Sequence, residues 1–421
     1  MIKLCIHIEV KGSSVLVGHI TGNNVSDASF QYSEAYLNHP NSHAISLSLP
    51  LGNKPFSPAK TRVFFDGLLP EGFMRKTISS SIKASEDDYL SVLSYLGQEC
   101  LGAIQVFNES VTTNKPSYKL LSKAQLVALA QEGATKSTEI VEKSHLSLTG
   151  ASGKVGLYFD SSNDKWYQPI GTAPSTHIVK QSHVRYKKIV TNELLALKTA
   201  KALGINVSES FILNVGNKTD NALFVTKRYD RKLVGSKNTV GNLKIPFRLH
   251  QEDFAQALGI LAADKYEIKP HEYLKAMFDI LSNQSSVPLQ DMLKLWDICI
   301  FNYLIGNTDN HIKNNSILYS EDLAKKRLAP AYDIVSTLVY NSATKRMALS
   351  IGGEYDITKI NRQSFLDEAK HVGLGQKVAM EHFDEMNAKF SGTLKRSACE
   401  LSDAGYTAAN ELANSILSFR R

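Results

Sequence analysis

Residues 306–314 read Gly306-Asn307-Thr308-Asp309-Asn310-His311-Ile312-Lys313-Asn314, a polar stretch that separates two apolar segments. The segment before it, Met292 to Ile305, has the apolar spacing of a helix, and glycine commonly follows the last turn of a helix. The segment after it, Ser316 to Tyr319, is short and apolar like a strand. The stretch is therefore predicted to be a loop between a helix and a strand, and it is rich in side chains that accept protons or bind cations.

Three oxygen-bearing side chains follow the order that a kinase reaction requires. Phosphoryl transfer of the protein-kinase type uses a carboxylate to orient the attacking hydroxyl and, five residues later, an amide oxygen to hold Mg²⁺. Asp309 and Asn314 have that spacing, and Asp333 follows as the second carboxylate that a hard cation needs. Each residue alone is most often a loop-capping side chain. Taken together, they predict an ATP- and Mg²⁺-dependent centre with Asn314 and Asp333 as metal ligands.

His311 lies inside the same loop. A histidine there is predicted either to brace the loop by hydrogen bonding or to contact the bound substrates. The sequence offers no second ligand that would make His311 part of a metal site. We count His311 among the predicted ATP contacts.

A glycine-containing segment, Ser147-Leu148-Thr149-Gly150-Ala151-Ser152-Gly153-Lys154, comes directly before the strand-like run Val155 to Phe159. Its two glycines let backbone N–H groups approach phosphate oxygens, and Lys154 adds a positive charge. The spacing is not that of a Walker A loop, because Gly150 lies three rather than five positions before Gly153, and Val155 stands where that motif has Ser or Thr. A segment of this kind that leads into a strand is usually only a turn, and that alternative stays open. Residues 148–154 are predicted to contact ATP.

Further positions complete the predicted nucleotide site. Lys180 ends a strand-like run, where its ammonium group could pair with the α- and β-phosphates if a helix carboxylate held it in place. Glu193, in the predicted helix Asn192 to Leu203, is the candidate carboxylate. Lys227, Arg228 and Tyr229 end another strand, where backbone groups could bind adenine. A lysine at a strand end is ordinarily solvated, and that alternative stays open.

The order of these patterns predicts an α+β fold. The 421 residues are too many for one hydrophobic core. Residues 1–110 alternate like a small β-rich amino-terminal subdomain with added helices, and a polar segment then marks a boundary. Residues 120–247 read as the β-rich part of a two-lobed kinase-like core, and residues 248–421 read as an all-helical carboxy-terminal lobe.

Composition favours a globular protein of the cytoplasm. Apolar residues make up 43% of the chain, and the mean hydropathy is −0.18. The sequence shows neither a signal peptide pattern nor an apolar run of about 18 residues, so no membrane partner is expected. The four cysteines are far apart and predict buried, reduced thiols. The net charge of +7 is compatible with phosphate-rich ligands or nucleic acid but requires neither.

Read in order, these motifs resemble the HipA family, serine/threonine kinases that act as toxins of bacterial toxin–antitoxin pairs. Two more segments carry the likeness into the amino-terminal part: Phe64-Phe65-Asp66-Gly67-Leu68-Leu69-Pro70-Glu71-Gly72 and Leu96-Gly97-Gln98-Glu99-Cys100-Leu101-Gly102-Ala103. The resemblance implies a kinase core distantly related to the phosphoinositide 3/4-kinase-like fold. One departure is Ser152-Gly153-Lys154, which stands where the family more usually has Gln-Glu-Lys.

The resemblance also implies roles for individual residues. Asp309 is similar to the catalytic base of the family, and Ser147 is similar to its autophosphorylation site. Lys180 and the backbone of residues 227–229 resemble its ATP contacts. A phosphate on Ser147 would add a charge of about −1.5 to −2 beside the ATP phosphates and repel the loop from them. Autophosphorylation is therefore predicted to switch the enzyme off.

Partners are implied by the resemblance as well. They are a HipB-like helix-turn-helix antitoxin, operator DNA reached through the antitoxin complex, and a protein substrate such as glutamyl-tRNA synthetase, the family target whose phosphorylation arrests translation and growth. One alternative is a catalytically silent co-repressor. The intact Lys180, Asp309, Asn314 and Asp333 argue against it, because a scaffold has no need of buried charges that are costly without a ligand. A kinase for a small molecule or lipid is the other alternative.

Overall fold

A computed structural model describes residues 2–108, 115–132, 140, 148, 153–181, 186, 188–216 and 222–419. The chain divides into two compact units, each built from separate stretches of sequence. Unit 1 consists of Met1–Gln181, Leu213–Ala262 and Leu318–Lys325, and unit 2 consists of Ser182–Ile212, Ala263–Ile317 and Lys326–Arg421. The domain boundaries near residues 110, 120 and 247 stay predictions.

Unit 1 begins with an antiparallel sheet and a group of short helices. The sheet has the strand order β3-β2-β1-β4, and its strands are β1 (Ile2–Val10), β2 (Ser13–Gly22), β3 (Ser29–Tyr32) and β4 (Ile104–Asn108). The helices are α1 (Glu34–Leu37), α2 (Pro58–Asp66), α3 (Gly72–Ser81) and α4 (Tyr89–Leu96). Asp88 caps α4, since its carboxylate accepts a hydrogen bond from the Ser91 amide at 3.1 Å.

A second antiparallel sheet forms the middle of unit 1. Five of its strands follow the order β5-β7-β6-β8-β10, namely β5 (Ser117–Leu120), β6 (Lys154–Asp160), β7 (Lys165–Ile170), β8 (His177–Gln181) and β10 (Ala222–Lys227). Helix α5 (Lys123–Glu132) lies between β5 and β6 in the chain. Strand β9 (Ser210–Asn214) lies where the chain passes from unit 2 to unit 1. Strand β6 extends the predicted run Val155 to Phe159 by one residue at each end, and β8 ends one residue after Lys180, within the usual uncertainty at element ends. Strands β5 and β7 were not predicted from the sequence.

The end of unit 1 shows one departure from the predicted elements. It contains β11 (Arg231–Lys232), β12 (Thr239–Val240), β13 (Leu243–Lys244), β14 (Phe247–Arg248), β15 (Gln251–Asp253) and α7 (Phe254–Leu258). The all-helical pattern predicted from residue 248 onward is wrong for residues 251–253, which form β15. Asp253 and Gln256 form a capping box, so the helix starts only at Phe254 and the chain before it is extended.

A buried cluster of six charged side chains holds distant parts of unit 1 together. Glu99 lies at its centre and accepts hydrogen bonds from three guanidinium groups: Arg231 at 2.7 Å, Arg248 at 2.7 Å and Arg228 at 3.2 Å. Asp230 pairs with Arg228 and Arg231, and Glu9 pairs with Arg248. Burial opposes ionisation of Glu99, but the surrounding guanidinium charges keep its pKa below the ordinary value. The charges balance at three positive and three negative.

Glu252 is another buried acid of unit 1. Unlike Glu9, Glu99 and Asp230, it has no cation among the contacts that the structure shows for its side chain. Its carboxyl group accepts hydrogen bonds from the Ser46 hydroxyl at 2.6 Å, the Leu47 amide at 3.1 Å and the Tyr319 hydroxyl. Burial, the largest effect, raises the pKa of Glu252 to about 7. The side chain is therefore substantially protonated in the folded protein near neutral pH.

Glu252→Gln is expected to remove a pH dependence of stability. Because the pKa of Glu252 is higher in the folded state than in the unfolded state, its protonated form stabilises the fold fully below pH of about 4.5, and this contribution is lost as pH rises through about 7. The loss amounts to roughly 3 kcal/mol for a shift of this size. Gln can accept from Leu47 and Tyr319 and donate to Ser46. Melting temperatures of both proteins between pH 5 and 8 should diverge, and parallel curves would contradict the protonated state.

Unit 2 is mainly helical. Its helices are α6 (Ile189–Ala202), α8 (Glu272–Gln284), α9 (Pro288–Ile305), α10 (Arg362–His371), α11 (Gln376–Asp403) and α12 (Ala408–Ser418), with short 3-10 helices at Ala262–Asp264 and Ile312–Asn314. Its core includes Trp296, Phe301, Phe365 and Phe390, all fully buried. The Trp296 indole N–H donates to the Ala379 carbonyl at 2.9 Å, so its polar atom is satisfied inside this core.

The α+β class predicted from the sequence is confirmed, with one refinement. The carboxy-terminal part also contains the short strands β16 (Ser316–Tyr319), β17 (Lys326–Leu328), β18 (Arg346–Ile351) and β19 (Glu354–Asp356), so it is mainly rather than entirely helical. All four cysteines are free thiols, as predicted, but the prediction that they are buried holds only for Cys100 and Cys299 and is wrong for Cys5, which is partly exposed, and Cys399, which is exposed. Among the described residues, no helix combines the length and apolar character needed to cross a membrane.

Candidate active site

Gly306 ends α9 and starts the polar loop, as the sequence predicts. Its φ of +74° lies in the left-handed region, where a side chain would be strained. Asn307 then ties the loop to the last turn of the helix, because its amide nitrogen donates to the Asn302 side-chain oxygen at 2.7 Å. The Asn307 oxygen in turn accepts a hydrogen bond from the Asp309 amide at 3.0 Å. The backbone that carries Asp309 is thus fixed from the helix side.

Asp309 is held from the other side of the loop as well. Its backbone carbonyl accepts hydrogen bonds from the His311 amide at 2.8 Å and from the Asn314 side-chain nitrogen at 2.9 Å. Because this contact engages the nitrogen of the Asn314 amide, its oxygen is the atom suited to a cation. The Asp309 side chain is exposed, and one of its carboxylate oxygens accepts a hydrogen bond from the Tyr266 hydroxyl at 2.8 Å.

Asp333 is held in an unusual backbone conformation. Its φ is +57°, in the left-handed region that non-glycine residues rarely occupy and that is often found at functional sites. The residue before it, Tyr332, donates from its hydroxyl to the Lys313 carbonyl at 3.0 Å and also hydrogen-bonds the Ser316 hydroxyl at 2.6 Å. Tyr332 therefore binds the Asp333 segment to the end of the Asp309 loop.

A second group of contacts joins the same two loops at their other ends. The Thr308 amide donates to the Thr337 hydroxyl at 2.9 Å, and the Thr337 amide donates to the Gly306 carbonyl at 3.0 Å. Asn192 of α6 adds a two-way bond to Ser336, accepting from its amide at 3.0 Å and donating to its carbonyl at 2.9 Å. Since residues on both sides of Asp309 and Asp333 are bonded to each other, the two predicted segments lie next to one another in unit 2.

The side chains at this place fit a weakly held Mg²⁺ ion. Within the part of the chain that the structure describes, no group of three or more His, Cys, Asp or Glu side chains could hold a metal. Asn314 and Asp333 instead offer one amide and one carboxylate, both hard oxygen donors. Mg²⁺ is commonly bound by one or two protein ligands and completes its shell with water and substrate phosphates. The predicted ligand pair is therefore chemically suitable.

His311 is built into the loop. Its side chain is buried, and its ring packs edge-on against Tyr266, with 5.3 Å between ring centroids and 87° between ring planes. Its backbone carbonyl accepts from the Asn314 amide at 2.9 Å. These contacts support the bracing alternative, and a contact with ATP stays a prediction.

Lys154 and Lys180 lie directly opposite each other on β6 and β8 of unit 1. Opposed residues of antiparallel strands share one face of the sheet, and like charges placed there are unfavourable unless an anion offsets them. Lys154 is 9% exposed. Phe224 of β10 lies opposite Lys180 on its other side, with the Lys180 ammonium 5.4 Å from the ring centroid. The two lysines are therefore neighbours on one face of the sheet, and their contacts with ATP phosphates stay predictions.

Glu193 is buried in α6 at 4% exposure. It belongs to unit 2, whereas Lys180 belongs to unit 1, so the predicted pairing of these two residues stays a prediction.

In the predicted adenine-binding segment, residues 227–229, the central side chain is buried and already paired. Arg228 is 2% exposed, and its guanidinium group is taken up by Glu99 and Asp230. The Tyr229 hydroxyl hydrogen-bonds Gln251, and the Arg228 amide donates to the Thr176 carbonyl at 2.9 Å. The Arg228 guanidinium group is therefore engaged within the protein, and the predicted backbone contacts of residues 227–229 with a nucleotide stay predictions.

Most of the glycine-containing loop lies outside the described residues. The residues concerned are Ser147, Thr149, Gly150, Ala151 and Ser152. Leu148 is described and fully buried, Gly153 is half-buried and Lys154 begins β6. The ATP contacts of this segment stay predictions.

Sequence reasoning missed several residues that build the site. Tyr266 touches Asp309 from 43 residues upstream, and Thr337 and Asn192 fix the Asp333 loop. A hydroxyl or amide side chain in a polar loop has no spacing that identifies its partner. Asn192 and Thr337 at least lie near the predicted residues Glu193 and Asp333, whereas nothing in the sequence near Tyr266 pointed to the site.

Comparisons with known proteins agree over most of the chain. Residues 8–107 match the HipA N-terminal domain, and residues 146–394 match the HipA-like C-terminal domain. Y4mE, a predicted kinase of Sinorhizobium fredii, is 30% identical over 412 residues, covering 95% of this chain and 94% of the relative. The serine/threonine-protein kinase toxin HipA of Shewanella oneidensis is 27% identical over 312 residues, covering 71% of this chain and 68% of the relative.

The fold agrees with a solved structure. A chain in the complex of Shewanella oneidensis HipA, HipB and operator DNA superposes with a TM-score of 0.80 at 20% identity, covering 99% of this chain and 96% of that chain. With both domain models matched in order and a relative aligned over nearly its full length, this chain belongs to the HipA family of kinases.

Proposed function

We propose that this chain is a serine/threonine protein kinase that uses ATP and Mg²⁺ and acts as the toxin of a toxin–antitoxin pair. The names of its curated relatives support the kinase and toxin parts. The observation that carries the proposal is the pair of hydrogen-bonded loops in unit 2, which keeps Asp309, Asn314 and Asp333 in adjacent segments. The strained backbone of Asp333 supports it further, because such a conformation is retained where function requires it.

In the proposed reaction, the Asp309 carboxylate accepts a hydrogen bond from a substrate serine or threonine and takes its proton. The substrate oxygen forms a bond to the γ-phosphorus of ATP, the bond from that phosphorus to the β–γ bridging oxygen breaks, and ADP leaves with the electron pair. Mg²⁺ held by Asn314 and Asp333 would supply positive charge to the phosphate oxygens. Lys154 and Lys180 are proposed to bind phosphate through their ammonium groups.

The finer parts of the proposal come from the family resemblance. They are inhibitory autophosphorylation of Ser147, a translation component such as glutamyl-tRNA synthetase as substrate, a HipB-like antitoxin as partner, co-repression at operator DNA, and a cytoplasmic location. The composition of the solved Shewanella complex supports the antitoxin and DNA partners. The alternatives are a silent co-repressor and a kinase for a small molecule or lipid.

Incubation of the purified chain with ATP and Mg²⁺, followed by phosphosite mapping with mass spectrometry, tests the proposal. We expect phosphate on Ser147 in the wild type. Asp333→Asn should slow this reaction by about 100-fold, the scale on which loss of one electrostatic partner of a transition state slows enzymes, and should raise the Mg²⁺ concentration required for half-maximal rate. Asp384→Asn, which removes an exposed ion pair with Arg362, is the matched control and should keep the wild-type rate.

The same experiment separates the alternatives. A silent co-repressor would leave every protein hydroxyl unmodified. A small-molecule or lipid kinase would consume ATP in the presence of such an acceptor and leave serine and threonine residues unmodified.

A further inference from the structure

Tyr266 makes a direct contact with the proposed base. Its hydroxyl donates to Oδ1 of Asp309 at 2.8 Å, although the two residues are 43 positions apart in the chain. The Tyr266 side chain is 47% exposed, so burial of its ring does not by itself explain its position. Because burial does not explain where the Tyr266 side chain lies, we look for its role in the hydrogen bond to the Asp309 carboxylate.

The backbone beside Tyr266 is firmly anchored. Glu267 is only 2% exposed, and its amide donates to the Ala348 carbonyl at 3.0 Å. Its carboxylate accepts hydrogen bonds from the Ser350 amide at 2.7 Å and the Tyr273 amide at 2.8 Å. These bonds attach the chain to β18 and to the start of α8. Because the residue next to it is fixed in this way, the starting point of the Tyr266 side chain is fixed as well.

The ring of Tyr266 is held on two sides. His311 packs edge-on against it at 5.3 Å, and the Lys265 ammonium lies 5.6 Å from its centroid. His311 itself is buried in the Asp309 loop. The loop therefore determines both where the ring lies and where its hydroxyl meets Asp309.

We propose that Tyr266 is a positioning residue for phosphoryl transfer: its hydroxyl engages Oδ1 of Asp309 and thereby orients Oδ2 toward the incoming substrate hydroxyl. This inference rests on the proposed function and adds a residue that the sequence motifs do not single out. An exposed aspartate on a loop has several rotamers available, and a hydrogen bond to one carboxylate oxygen selects among them. Small displacements of a reacting group slow enzymes strongly, which gives such a brace a measurable effect.

Tyr266→Phe tests the proposal, because it removes the hydroxyl and keeps the ring that packs against His311. We expect the rate constant of autophosphorylation at saturating ATP to fall by about 10-fold, while the ATP concentration at half-maximal rate stays within about 2-fold of the wild type. Tyr273→Phe is the matched control, since the Tyr273 hydroxyl donates to the Asp264 carbonyl of the same loop at 2.9 Å without touching Asp309. It should keep the wild-type rate.

A second measurement does not depend on activity. The ¹³Cγ resonance of Asp309, identified by its loss in Asp309→Asn, should shift in Tyr266→Phe and remain in place in Tyr273→Phe. An unmoved resonance in Tyr266→Phe would overturn the contact.

Three other results would also overturn the proposal. A faster reaction in Tyr266→Phe would make the tyrosine a plug that competes with substrate, and phosphate on Tyr266 itself would make it a substrate. Equal slowing in both phenylalanine variants would reduce its role to loop order. If the wild type transferred no phosphate at all, the proposed function would fail, whereas an Asp309 resonance that still shifts would show that the contact itself is real.

Discussion

Asp309→Asn is expected to lower the rate of phosphoryl transfer by about 10²- to 10⁴-fold, the usual effect of losing a general base. Asn has nearly the same shape as Asp, but it cannot take a proton from the substrate hydroxyl. The variant should remain folded, because the Asp309 side chain is exposed and the Asn oxygen can still accept the Tyr266 hydrogen bond. The autophosphorylation rate measures the effect, and thermal denaturation measures the fold.

The control for this variant must show that loss of an acidic side chain elsewhere is harmless. Asp384→Asn again serves, because Asp384 pairs with Arg362 on the surface of unit 2. ATP binding measured by calorimetry should be similar in all three proteins, since Asp309 is proposed to act on the acceptor hydroxyl. A variant that phosphorylates as fast as the wild type would remove Asp309 from the chemistry.

Glu99→Ala is expected to destabilise the fold by about 3–5 kcal/mol, the scale reported for removing one partner of a buried ion pair. Glu99 is 1% exposed and lies among three guanidinium groups. Without it, three buried positive charges would face only Asp230 and Glu9, and the guanidinium groups would lose hydrogen-bond acceptors. Urea denaturation of unit 1, followed by the fluorescence of Trp166 after Trp296→Phe, measures the loss.

The comparison for Glu99 is Asp87→Ala, which lies in the same unit as Trp166. Asp87 is exposed and pairs with Arg62, and exposed pairs of this kind contribute little to stability. Its denaturation midpoint should match that of the same protein with Asp87 present. A Glu99→Ala midpoint equally close to that reference would show that the ion cluster does not hold unit 1 together.

The amino-acid sequence was sufficient for local structure. The apolar spacing before Gly306, the glycine itself and the apolar run after Asn314 predicted a helix, a loop and a strand, and all three are present. These elements follow from side-chain periodicity and backbone preference over a few neighbouring residues. The same periodicity wrongly assigned residues 251–253 to the helical part, because it does not show that the capping box of Asp253 and Gln256 starts the helix only at Phe254.

The site itself was only partly readable. The order of Asp309, Asn314 and Asp333 suggested a shared role, but their adjacency depends on contacts of Tyr332 and Thr337 with residues far away in the chain. The sequence of residues 96–103 resembled the family, but it did not show what role this segment has in the fold. In the structure, Glu99 lies at the centre of the ion cluster, and the Gly102 amide donates to Asp230 at 2.8 Å.

By itself, then, the sequence determined the class of fold, the loop that carries Asp309 and the chemistry that its side chains can perform. Only the tertiary structure decided that Tyr266 meets Asp309 and that Arg228 is enclosed by Glu99 and Asp230. The physical reason is that periodicity and turn preference act between neighbours in the chain, whereas hydrogen bonds and ion pairs between distant residues form only after the chain has packed.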